Sequence, residues 1–88
     1  MSEGLYKRVY FRAVRRAMLE NETFMRAFMD ERGSSFDINK LSRLDGLLMA
    51  IGDNDLYDVI MSAKKPSDFE GLYDIELLQE IAEFKVNK

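Results

Sequence analysis

Eighty-eight residues, 47% hydrophobic and 33% charged, suit one small globular domain spanning 1–88 and are too apolar for a disordered chain. The chain has no cysteine and no histidine, which excludes a disulfide framework, a cysteine nucleophile and any histidine-based catalytic pair, and denies a structural zinc its usual ligands. The net charge is −3, but residues 1–19 carry +4 and the remainder −7, a polarity suited to a docking surface, while the overall acidity argues against nonspecific nucleic-acid binding.

The first element is a helix over about residues 5–19. Leu5, Val9, Ala13 and Ala17 recur at i, i+4 steps, flanked by Tyr6, Tyr10 and Val14. Basic residues at 7, 8, 12, 15 and 16 interrupt this stretch, so it reads as part of the fold rather than as a signal peptide or membrane span. A soluble cytoplasmic protein is expected. A corner at Glu20-Asn21-Glu22 precedes a second helix marked by Phe24, Met25, Phe28 and Met29, with Gly33 expected as its C-cap glycine.

Asp37 or Asn39 offers the next N-cap, and Leu41, Leu44, Leu47, Leu48 and Ile51 form the stripe of a third helix that ends at Gly52. Asp53 is placed to cap a fourth helix with Leu56, Tyr57, Ile60 and Met61 facing inward. Pro66 enforces a break, and Ser67 to Glu70 fits a capping box opening a fifth helix that runs to about Phe84 and buries Leu72, Ile75, Leu78 and Ile81 or Ala82. No stretch alternates long enough for a strand. The expected fold is all-α, a compact single-domain bundle of five short helices. Its core is expected to hold Val9, Ala13, Phe28, Leu44, Leu48, Ile60 and Leu78.

Three features invite a chemical reading. Asp53, Asp55 and Asp58 lie close together, but the stretch lacks the sixth-position glycine and twelfth-position glutamate of a calcium loop. Acids in a first helical turn favour the macrodipole, so capping is the stronger reading. Met18, Met25, Met29, Met49 and Met61 sit at or near core-type positions and read as core filling rather than as an adaptable groove. Phe11 falls at the margin of the apolar arc, beside the arginines.

The arginines carry the most information. Arg8, Arg12 and Arg16 follow one another at i, i+4 with Arg15 beside them, and like charges at this spacing cost a few tenths of a kcal/mol per pair. Glu20 extends the row. Either this is a solvated face neutralised by acids elsewhere in the fold, or it is an interaction face aimed at an acidic partner, where arginine forks supply bidentate contacts. Arg12, Arg15, Arg16 and Glu20 are expected to be largely exposed.

The stretch "RRAMLENE" resembles the arginine–glycine–x–x–glutamate motif of the small flavinylation factors of succinate dehydrogenase, called succinate dehydrogenase assembly factor 2 in mitochondria. "DNDLYDVIMSAKKPSD", residues 53–68, is similar to that family's Asp-Pro-Asp-Leu helix start and later Lys-Pro turn. Helix order, spacing and length agree over about residues 6–84. The resemblance implies a five-helix assembly factor without enzymatic activity. Such a factor binds the flavoprotein subunit of succinate dehydrogenase or fumarate reductase and promotes covalent attachment of FAD, holding no cofactor stably itself.

Carried over, Arg16 and Glu20 match the motif's arginine and glutamate, Arg15 matches the arginine that often precedes it, and Met18 lies inside the motif. Ala17 stands where the family has glycine, Asn54 where it has proline, and Asn21-Glu22 where it has Leu-Asp; Tyr57-Asp58-Val59 lacks a tryptophan common there. The implied partner-binding set is Arg16, Glu20, Arg15, Ala17 and Met18, joined by Arg12 and Arg8 on the same helix. A monomer with no nucleic-acid partner is expected. The alternative is an antitoxin-like or other regulatory protein-binding module with no flavin role.

Overall fold

A computed structural model describes residues 2–84, so Met1 and 85–88, the ends of the expected 1–88 domain, lie outside the described residues. Five α-helices follow in order: α1 Ser2–Val14, α2 Leu19–Glu31, α3 Ile38–Ala50, α4 Asp53–Ile60 and α5 Ile75–Glu83. Two 3-10 turns, Gly33–Ser35 and Pro66–Phe69, join α2 to α3 and α4 to α5. No strand occurs among the described residues. The radius of gyration is 12.0 Å, the value of about 12 Å expected for a compact chain of this length.

Helix α1 packs against both α2 and α3, α4 packs against α2, and α5 packs against α4. The core is one cluster. Val9 and Ala13 of α1 meet Met25, Phe28 and Met29 of α2, Leu41, Leu44 and Leu48 of α3, and Leu77, Leu78 and Ile81 of α5. Phe28 and Phe84 pack edge to face at 5.4 Å, as do Phe24 and Phe84 at 5.5 Å, so the end of α5 is sealed by aromatic contacts onto α2.

Several local expectations give way to tertiary contacts. Gly33 is not a left-handed C-cap, because Arg32 caps α2 and the only glycine with positive φ is Gly71. Gly33 packs closely on α2 instead: a Cβ there would lie 2.8 Å from Met29 Cε, so the end of the Met29 side chain would have to shift. Asp37 does cap α3, its side chain accepting from Lys40 N at 2.8 Å. The Ser67–Glu70 stretch opens a 3-10 turn rather than α5. Asp68 accepts from Lys65 N, Gly71 turns the chain at φ 86°, and Asp74 becomes the N-cap of α5. Leu72 therefore falls in the connection and is exposed, and Ile60 and Ile75 are only half-buried. Met49 and Met61, expected at core positions, point to solvent, whereas Met25 and Met29 are buried.

Candidate functional site

Helix α1 ends at Val14, five residues before the expected end, and the corner expected at Glu20-Asn21-Glu22 falls instead between Val14 and Leu19. Arg15 N–H still donates to Phe11 O at 3.1 Å, but Arg16 N–H turns back to Val14 O at 3.0 Å. Ala17 N–H then donates to the Asp53 carboxylate at 3.0 Å, so a side chain from the start of α4 replaces the helical acceptor. Met18 is the N-cap of α2, without a side-chain cap, and Glu22 N–H donates to its carbonyl at 3.1 Å. Arg16 and Glu20 are therefore separated by a corner and do not continue one helical row. Ala17 has no positive φ, so the backbone here makes no demand for glycine.

The expectation that Arg16 is exposed fails. Its side chain is 9% exposed and reaches the end of α3, donating to Leu48 O at 2.9 Å and Ile51 O at 3.2 Å. Those carbonyls lack helical donors, and a cation there also complements the negative end of the α3 dipole. Asp53 lies 3.6 Å away and balances the charge. Asp53 was expected to cap α4, but Gly52 occupies the N-cap and the Asp53 side chain faces the α1–α2 corner.

Asn21 completes this clamp. It is fully buried, and its side-chain amide donates to Asp53 O at 3.0 Å and Asp53 Oδ1 at 3.2 Å. Asn21 occupies a core position of the α2 stripe with Phe24, Met25 and Phe28, at i, i+3, i+4 and i+7. A polar residue inside an apolar stripe was the sequence signal that could have revealed the clamp. The three aspartates of the 53–58 stretch make separate tertiary ties. Asp53 holds the corner, Asp55 accepts from the Tyr73 hydroxyl at 2.7 Å, and Asp58 faces Lys64 at 3.8 Å. The bond to Asp55 raises the Tyr73 pKa above the ordinary phenol value. Among the described residues no group of acids is arranged to hold a metal ion.

The Arg8–Arg12–Arg16 row is directed at α3. Arg12 Nε donates to Asp45 Oδ1 at 2.7 Å and Arg8 lies 3.8 Å from the same carboxylate. The reading in which acids elsewhere neutralise the row thus holds for much of it. Arg15 and Glu20 differ. Both are exposed, one on each side of the corner, and neither has an ion-pair partner among the described residues. Ala17 is exposed between them, Met18 is half-buried, and Leu19, which sequence reasoning did not single out, is 71% exposed. The corner presents a free cation, a free anion and an apolar side chain on a turn braced from behind.

The family model described as flavinator of succinate dehydrogenase matches residues 7–85. The chain belongs to this flavinator family. The match spans both stretches that carried the resemblance, the corner and the 53–68 segment, and the fold places them in contact through Asp53. The family is one of assembly factors with a role in flavinating succinate dehydrogenase, and that role implies the flavoprotein subunit as partner. No significant match is found among curated proteins or solved structures. No helix of this flavinator-family chain, among the described residues, is long and apolar enough to cross a membrane.

Proposed function

We propose that this chain binds the flavoprotein subunit of succinate dehydrogenase or fumarate reductase and promotes covalent attachment of FAD, acting as a cytoplasmic monomer without enzymatic activity of its own. The observation that carries this reading is the braced corner. Arg15, Ala17, Met18, Leu19 and Glu20 are held on a turn whose backbone is tied to α4 through Asp53. A rigid, charged turn loses little conformational entropy on docking, and its contacts are thereby preorganised.

Arg16 serves this function from inside. It fixes the corner against α3 and α4, and Arg15 and Glu20 meet the partner. FAD is the substrate of the process and stays with the flavoprotein. The factor contributes by holding the partner so that the flavin and its acceptor side chain are in register, a proximity effect exerted from outside the reacting groups.

The test is in-gel fluorescence of covalent flavin on the denatured flavoprotein subunit, after incubation with FAD and each variant. Glu20→Ala is expected to lower the yield of covalent flavin while the helical circular dichroism spectrum is unchanged. Wild-type yield with both Glu20→Ala and Arg15→Ala would remove the corner from the function.

A further inference from the structure

Beyond the corner, the outer face of α1 carries a second feature that the fold does not use. Phe11 is 57% exposed and lies outside the core cluster. The guanidinium of Arg15 lies 4.9 Å from the centre of its ring. Arg8, Phe11, Arg12 and Arg15 line one open cleft of about 320 Å³. The spacing is i, i+3, i+4 and i+7, so these side chains form a continuous stripe about 10 Å long on the helix surface.

This stripe has a surplus of positive charge. Asp45 faces both Arg8 and Arg12, and Arg15 has no ion-pair partner among the described residues. The Arg15 guanidinium lies over the Phe11 ring, an attractive cation–ring contact that still leaves the arginine's donors available to a carboxylate. An exposed aromatic ring beside an oriented arginine is the composition that concentrates binding energy in protein interfaces.

We infer that the Phe11–Arg15 stack is an anchor for an acidic segment of the flavoprotein subunit, one that offers a carboxylate to Arg15 next to an apolar side chain that covers Phe11. This inference rests on the flavoprotein reading above and adds Phe11, which lies outside the family motif, to the contact already assigned to Arg15. Charge complementarity selects the occupant: the stripe is basic, so its partner surface is acidic, and Arg8 at its edge steers the encounter. The two components act on different rates. A rim charge mainly sets the association rate and its salt dependence, and a desolvated aromatic contact sets the dissociation rate.

The experiment measures association and dissociation rates of the full chain with the purified flavoprotein subunit of the same organism's succinate dehydrogenase, at several salt concentrations. Phe11→Ala is expected to raise the dissociation rate roughly tenfold with the salt slope unchanged, and Phe11→Leu to restore part of it. Arg8→Gln with Arg15→Gln is expected to slow association and flatten its salt dependence. If Phe11→Ala and the double glutamine variant bind as wild type while Glu20→Ala binds weakly, the anchor is overturned and the corner's contact is confined to Glu20. If wild type does not bind the subunit at all, the flavoprotein reading and the anchor fall together. Two other results also overturn the anchor, given unchanged flavoprotein kinetics: Phe11→Ala abolishing self-association of the free chain, or abolishing retention on phosphatidylglycerol vesicles.

Discussion

On the inner side of the α1–α2 corner, Arg16 lies between the end of α3 and Asp53, largely sealed from water; on the outer side, Arg15 stacks on Phe11 in solvent. Adjacent residues of one chemistry thus have opposite tasks. The difference comes from what each can reach. Arg16 finds two helix-terminal carbonyls and a carboxylate for its Nη1 and Nη2 groups, while its buried Nε–H has no partner; Arg15, among the described residues, finds a neighbouring ring. A motif with two basic residues therefore divides into a brace and a contact. Loss of function alone would not separate them.

Stability measurements do separate them. Arg16→Ala carries the largest expected effect, about 3 kcal/mol, because it leaves two carbonyls and Asp53 without their cation. A drop in melting temperature on the order of 15 °C in calorimetry is the expected reading for a domain of this size. An unchanged melting temperature would erase the distinction between the two arginines. Asn21→Ala is expected to cost about 2 kcal/mol in urea titrations, since it removes two hydrogen bonds to Asp53 from a fully buried position. Both losses act on the brace, so Arg16→Ala and Asn21→Ala combined should cost less than the sum of the two.

Ala17→Gly sits on the boundary between the two sides. Ala17 lies outside both helices, so the expected cost is about 0.5–1 kcal/mol, arising from the greater freedom of the unfolded chain. If association with the flavoprotein subunit improves despite this loss, the alanine methyl crowds the partner. Arg15→Ala and Glu20→Ala are expected to change stability by less than about 0.5 kcal/mol, as ordinary exposed sites do. Their effect belongs to binding.

An exposed arginine elsewhere is the control for Arg16. Arg43 makes a two-pronged contact with Asp74 at 2.9 Å in solvent, and this pairing holds the Asp74 carboxyl below the usual aspartate range. A lowered carboxyl pKa contributes stability that is present above the unfolded value of about 3.9 and is lost as the pH falls through the folded value. The expected effect is a shallow acid-side loss below about pH 4, removed by Asp74→Asn. Screening keeps it the smallest of these effects, and added salt should shrink it further.

The helices themselves were legible in the sequence. Apolar residues at helical spacing are a local property, and the stripes of α2 and α3 were read correctly from Phe24 to Met29 and from Leu41 to Ile51. The motif was legible from Arg15 to Glu20, but the corner expected at Glu20-Asn21-Glu22 lies inside α2; the chain turns earlier, between Val14 and Leu19, because Asp53 takes the Ala17 N–H. The sequence by itself thus determined helix number, the apolar stripes of α2 and α3 and which charged residues bear the motif. Which side of the corner each side chain faces was decided only by the tertiary structure. The acceptors of Arg16 are 32 and 35 residues away in the chain, and Asp53, which ends α1 by taking the Ala17 N–H, is 36 residues away. Helical periodicity is set by hydrogen bonds between residues four apart, and it carries no information about groups that meet only after α3 and α4 have packed against α1 and α2.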